Sequence, residues 1–459
     1  MRRAVIGLVV VAACGGKLAD DPVGTTENER PADRRSSSGG SSSGSTPPPI
    51  DDAVTPLENR CGADSVPCTS SACVSLSCIG VTHVPLAGDR LMARGLEDVV
   101  VAASAVASTL DGSISTLRPA NGDPSTYEIR NGIGFVRAPQ PGGGPIGVWT
   151  FRRLDVRVGG IVFQGDAAAV LAARSDVTLA PGTVLDVSAR GQTPGPGGSA
   201  AVKPRRRGRR LRRRRRASAG RGSSGDSGST DGGGGGGGFG GRAAAAATTS
   251  RSAAATAAAA PRAARCAGTT LRLLTGGSGG AGGDDGGGFT GVLGGGGGGA
   301  LQISSAGSIV LGGVITAGGG GGRTPVGNRR DGAGGGSGGG IYVEAPSIDL
   351  YAAELYAHGG GGGSSAAGTG NGCNGGEAED GRADMTPARG SRCARGWGGD
   401  GAPAASRNGR APDLGFPDHG GGAGGGGGGF GRIVMAYAVT TNIAKQVSPL
   451  ATNATLLMK

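Results

Sequence analysis

Apolar positions along this chain come in short alternations separated by turns. Leu154-Asp-Val156-Arg-Val158 alternates strictly, the signature of a half-buried strand. Upstream, Leu96 to Leu110 is largely apolar or small with a run of Val. Tyr127, Ile129, Ile133, Phe135, Val148, Trp149 and Phe151 follow, with turn signals between them. These positions predict a compact β-rich head over residues 61–165. Downstream, one pattern recurs in the stretches starting at Val170, Leu301 and Tyr342. Each has an apolar strand and a short turn, then a paired position (Val177/Leu179, Ile309/Leu311, Ile348/Leu350). Each ends in an apolar-x-Ala-x-Gly close at Val187/Ala189/Gly191, Ile315/Ala317/Gly319 and Leu355/Ala357/Gly359. Gly431 to Val439 is a fourth, partial copy. A single unit of this size cannot bury its apolar face, so the units must stack. The predicted fold class is therefore mainly β: β-solenoid-like or stacked short β units, with long Gly-rich, partly disordered insertions.

The insertions occupy roughly 192–300, 318–340 and 359–430, with polyglycine runs at Gly232–Gly238, Gly294–Gly299 and Gly424–Gly429. Two readings are open. One is wandering loops. The other is extended polyglycine strands laid against each other or on the β body, which need a backbone approach that only Gly permits. The absence of a strict Gly-X-Y period excludes collagen.

Composition sharpens this picture. Gly supplies 102 and Pro 25 of 459 residues, and aromatics are 3%. Gly loses the most backbone entropy on ordering and buries no side chain, so an enzyme of several ordinarily packed domains is excluded.

The N-terminus has a basic pair, Arg2-Arg3, a short apolar run from Ala4 to Ala13, and Val11-Ala-Ala-Cys14. About ten apolar residues are too few to span a bilayer but suit a signal peptide. The expected layout is a signal peptide over 1–13, then lipidated Cys14 and a Ser/Gly/Pro tether to residue 60. The head (61–165) follows, then the Gly-rich β-repeat region (166–445) and a C-terminal tail (446–459). Several acyl chains on Cys14 would give stable anchoring. Gly15 after the cysteine favours the outer membrane.

Seven cysteines remain. Cys61, Cys68, Cys73 and Cys78 form a cluster, Cys373 and Cys393 a second pair, and Cys266 is left over. Export to an oxidising compartment makes disulfides the expected state, with pairing within the cluster open.

The formal charge of +12 comes from one run. Lys203, Arg205, Arg206, Arg207, Arg209, Arg210, Arg212, Arg213, Arg214, Arg215 and Arg216 hold no acid among them, and the remaining charges nearly cancel. The run fits an anionic polymer or anionic lipid; nucleic acid is not an expected partner. A further reading needs no function. In a GC-rich gene a GGC repeat encodes Gly, then Ala and Arg in the shifted frames, and residues 201–268 pass from Arg to Gly to Ala runs. That segment is suspected frame-slipped translation of a Gly-rich insert.

No phosphate-binding loop, zinc-protease motif or nucleophile elbow occurs in a suitable context. His83, His358 and His419 lie far apart. Glu344, Asp349 and Glu354 are the acids of the best-defined unit, and the alternation need not bring them together. No cofactor, metal or catalytic residue is expected.

The body resembles the glycine-rich cell-surface lipoproteins of GC-rich, myxobacterial-type genomes. The resemblance rests on Val11–Cys14, the tether, and the Ser308–Gly322 and Ser347–Gly363 units. Such proteins are generally uncharacterised; anchor, tether and repeat without a convergent catalytic set lead to the expectation of a lipid-anchored surface protein, structural or adhesive and not an enzyme, in contact with the membrane and with envelope or matrix polysaccharide. The alternatives are a β-helix carbohydrate-active enzyme and an anionic-polymer binder using Arg205–Arg216.

Overall fold

The computed structural model describes residues 83, 90, 93–201, 236–238, 273–283, 292–325, 331–365, 377–392, 396–402, 408–412, 424–442, 444–450 and 452–455. The protein is mainly β. Its strands are β1 (Asp98–Val101), β2 (Ala105–Ser108), β3 (Glu128–Arg130), β4 (Ile133–Ala138), β5 (Ile146–Phe151), β6 (Arg153–Val156), β7 (Gly160–Gln164), β8 (Ala168–Ala173) and β9 (Val177–Leu179). There follow β10 (Val184–Asp186), β11 (Ala300–Ser305), β12 (Ser308–Leu311), β13 (Val314–Thr316), β14 (Gly340–Asp349), β15 (Glu354–Tyr356), β16 (Arg432–Thr440), β17 (Gln446–Ser448) and β18 (Thr452–Thr455).

Pairing is parallel throughout, apart from the β3–β4–β5 antiparallel start. Three ladders result. The first runs β5, β8, β11, β14, β16, β18. The second runs β1, β6, β9, β12 and the far half of β14. The third runs β2, β7, β10, β13, β15, β17. The long strand β14 passes through the first two ladders and joins them into one sheet.

Because side chains alternate along a strand, equivalent positions stack in register. Trp149, Leu171, Ile303, Val343 and Met435 line up in the first ladder. Leu154, Val177, Ile309 and Ile348 do so in the second. Ile161, Leu185, Ile315, Leu355 and Val447 do so in the third. All but the part-buried Val447 are buried in one continuous apolar core. The sheets continue from β7 into β8, across the 165/166 boundary drawn from sequence.

Two registers differ from the sequence alignment. Ile315 pairs with Leu185, not Val187, and Leu301 pairs with Ala169, not Val170. In the first ladder the unit that slides is the one starting at Leu301: Gln302, not Leu301, pairs with both Val170 and Tyr342, and a polar residue at that position hides the register from a match on hydrophobicity alone.

The start of the stack is closed by a folded-back turn. Ile114 bridges to Ala107 of β2 and to Arg118. Arg118 is fully buried, and its guanidinium donates to the carbonyls of Gly112 (3.0 Å), Pro119 (2.8 Å), Ile133 (3.1 Å) and Glu128 (3.2 Å) and to Asn121. It lies 5.4 Å from the Phe135 ring centroid. Burial lowers its pKa to about 10, which leaves it charged at neutral pH. The turn covers the outer edge of β2 and closes that edge to foreign strands.

Between the third and first ladders the chain runs out into the glycine-rich insertions and back. The described glycine stretches of these insertions (294–299, 318–322, 331–339, 359–363 and 424–429) are buried and run without turns, so for them the second sequence reading, strands laid against each other, is the one observed. Asp331–Gly340 is the centre. Gly334 and Ser337 donate backbone N–H to Ala281 and Ser278; Gly335 and Gly338 donate to Gly426 and Gly429; Gly336 and Gly339 donate to Gly320 and Ala317, at 2.7–3.0 Å. Its carbonyls accept from Gly363 and Gly360, from Gly295 and Gly298, and from Gly237. One segment thus bonds six neighbours, and the same neighbour recurs every third residue. That period is the one of an extended threefold helix, in which successive residues point about 120° apart and no hydrogen bond is internal. Buried backbone groups must be paired, and here they are paired sideways. An added Cβ on Gly336 would fall on the Gly296 carbonyl, and one on Gly320 would fall on that of Gly191.

Candidate functional site

Cys14, the cysteines at 61, 68, 73, 78, 266, 373 and 393, His419 and the Lys203–Arg216 run lie outside the described residues. The three acids of the best-defined unit are described, and they do not converge. Glu344 is buried on the outward face of β14, where its Oε1 accepts from Ser304 (2.6 Å) and Gln302 (2.9 Å). His83 joins the same network through Gln302 at 3.0 Å and stands edge-on to Tyr342. Asp349 accepts from the Tyr351 amide (3.1 Å) and the Asn442 side chain (2.6 Å). Glu354 takes Lys445 (2.6 Å) and the Tyr356 hydroxyl (3.0 Å).

His358, whose place ahead of a polyglycine run reads in the sequence as a surface position, is fully buried. Its Nε2 meets the Ser448 hydroxyl, and the Tyr356 ring stands edge-on at 5.8 Å. The expectation fails because the glycines after His358 do not lead into solvent; they enter the bundle. Burial lowers the imidazole pKa to about 4, opposed by the Asp384 carboxylate and the Arg382 backbone.

One polar site is assembled from all three insertions. The first insertion leaves β10 and turns tightly. Arg190 and Thr193 exchange two backbone hydrogen bonds at 2.9 and 3.0 Å, with Gly191 at φ 53°. Asp186 holds the Arg190 guanidinium at 3.1 Å. From the third insertion, Asp380 Oδ1 accepts the amides of Gly191 (2.9 Å) and Gly321 (2.7 Å). One carboxylate therefore pins the first insertion to the second. Burial raises its pKa, the two amides oppose the rise, and neighbouring Glu377 adds to it. Arg323, from the second insertion, faces Glu377 across an isolated antiparallel bridge. Glu377 Oε2 stands 3.3 Å from the place a Gly191 Cβ would take, so glycine there leaves room for the carboxylate.

Arg190, Gln192, Thr193, Arg323, Glu377 and Asp380 line an open pocket of about 530 Å3. It presents two guanidiniums, an amide, a hydroxyl and two carboxylates on backbone held by hydrogen bonds. Such a wall can bind a hydroxylated ligand at several points, and its two carboxylates are the residue type that acid–base chemistry on a glycoside requires.

Sequence reading missed all six residues. They come from three stretches far apart in the chain, 190–193, 323 and 377–380, and what gathers them is the cross-bonding of glycine segments. The one signal present was placement, since Arg190 directly precedes Gly191 and Arg323 lies four residues after Gly319, the glycines that close two repeat units. Comparison of the chain with family models, with characterised proteins and with solved structures gives no match.

Proposed function

We propose that this is a lipid-anchored, non-enzymatic surface protein with a structural or adhesive role, whose stacked parallel strands are the coils of a β-solenoid. The solenoid reading is supported by three ladders that advance one strand per repeat in fixed order. The anchor reading rests on Arg2-Arg3, the apolar run and Val11–Cys14. The outer membrane is the proposed location, with envelope or matrix polysaccharide as the partner.

The observation that carries the role is the glycine bundle. Asp331–Gly340 gives its amides and carbonyls to six neighbouring segments, and a body bonded this densely through its backbone suits a rigid scaffold that holds surface features at fixed distances. The test compares cells lacking the protein with cells carrying a Cys14→Ala version. The reading expects both to lose adhesion to matrix, and the Cys14→Ala protein to be released from the cell surface. Normal adhesion without the protein contradicts it.

A second reading, a carbohydrate-active enzyme, is favoured by one observation: Glu377 and Asp380 share a pocket, and Asp380 has a raised pKa. It expects purified protein to cleave a polysaccharide and Glu377→Gln or Asp380→Asn to abolish cleavage.

A further inference from the structure

We propose that the pocket between the three insertions is a binding subsite for a carboxylated sugar unit, a uronate within an acidic polysaccharide. The inference rests on the adhesive reading and names its ligand.

The volume of about 530 Å3 suits one or two sugar rings. The charges decide which kind. Arg323 takes part in no ion pair formed among the described residues, and Arg190 has one partner, Asp186. Both side chains are exposed on the pocket wall. A planar guanidinium binds a carboxylate through two parallel hydrogen bonds, which is the chemistry these two arginines offer. A neutral sugar would leave them unused. A polyphosphate carries several negative charges and no alcohol hydroxyls, so it has nothing to donate to the Glu377 and Asp380 carboxylates and is repelled by them more strongly than a singly charged sugar. A cationic ligand would meet the arginines. A uronate uses every wall: its carboxylate faces Arg190 and Arg323, and its hydroxyls donate to Glu377 and to Asp380 Oδ2. Its remaining oxygens accept from Gln192 and Thr193. Asp380 Oδ1 is occupied by the Gly191 and Gly321 amides, which fixes the carboxyl plane before any ligand arrives. Such preorganisation reduces the entropic cost of binding.

The test uses the full chain and calorimetric titration with trigalacturonate, its methyl ester, maltotriose and a short polyphosphate. Trigalacturonate is expected to bind, and the ester and maltotriose to bind at least about tenfold more weakly, the loss of roughly one charge-assisted contact. Arg190→Gln and Arg323→Gln should each weaken trigalacturonate binding by at least about tenfold with an unchanged melting temperature. The proposal is overturned if the double variant binds as the parent does, which would put the binding in the Arg205–Arg216 run. It is also overturned if ester and acid bind alike, if polyphosphate competes on equal terms, or if nothing binds up to about 10 mM. The ester comparison needs no variant, so it decides even if the substitutions disturb folding. Loss of adhesion on deletion, together with failed uronate binding, would remove this site and leave the adhesive reading standing. Uronate binding by a protein whose deletion leaves adhesion intact would do the reverse.

Discussion

At Gly336 the backbone packs against the Gly296 carbonyl so closely that a methyl group would occupy the oxygen's place. The neighbour is backbone on all sides and cannot swing away as a side chain could. Gly336→Ala is therefore expected to cost about 3 kcal/mol or more, at or beyond the upper end of overpacking losses. Gly122→Ala, where nothing lies within 4 Å, should stay within about 0.5 kcal/mol. Paired urea melts measure both, and equal effects would contradict the packing argument. His358 sets a second expectation at this scale. The unfolded imidazole takes up its proton near pH 6.5 and the folded one near 4. Stability is then complete above pH 6.5 and falls as pH drops towards 4, by about 3 kcal/mol from this group. Asp384, held at about 2 first by its hydrogen bonds to Arg382, extends the loss below pH 3.8. Asp380 works in the opposite sense, since its raised pKa makes protonation favour the fold. Denaturant melts between pH 7 and 4 should show the slope, and His358→Gln should flatten it.

Most strands of the stack are short, and their stability comes from the neighbours above and below. Ile315 lies between Leu185 and Leu355 with no exposure, so Ile315→Ala should cost about 2–5 kcal/mol by thermal or urea melting. The turn around Arg118 covers the first edge in a different way, with one fork of donors serving four carbonyls and Asn121. Lysine has a point charge and no fork, so Arg118→Lys should destabilise by about 3 kcal/mol, since buried acceptors lose their donors. A Lys variant as stable as the parent would show that the carbonyls find water instead. The apolar alternation was readable here: Leu154/Val156, Val177/Leu179 and Ile309/Leu311 occupy the stacked positions that their spacing suggests. The two-residue slip at Leu185 and Val187 was not readable, because both are apolar and the carbonyl that pairs with each belongs to a distant strand.

Across the whole molecule the sequence was legible where side chains carry the information and silent where the backbone does. The β body follows from apolar periodicity. The bundle follows from hydrogen bonds that any glycine could make, so its partners (Gly336 with Gly320, Gly335 with Gly426) have no signature in residue type. The same blindness hid the pocket, since Arg190, Arg323 and Glu377 meet through that pairing. The central claim is that the described glycine segments of the insertions form a folded core. Amide hydrogen exchange on protein labelled with 15N-glycine tests it most directly. Gly334, Gly335, Gly336, Gly338 and Gly339 should exchange as slowly as the buried strands β11 and β14, because opening any one of them breaks bonds to several neighbours. Exchange of those amides at the rate of exposed Gly122 and Gly142 would contradict the account.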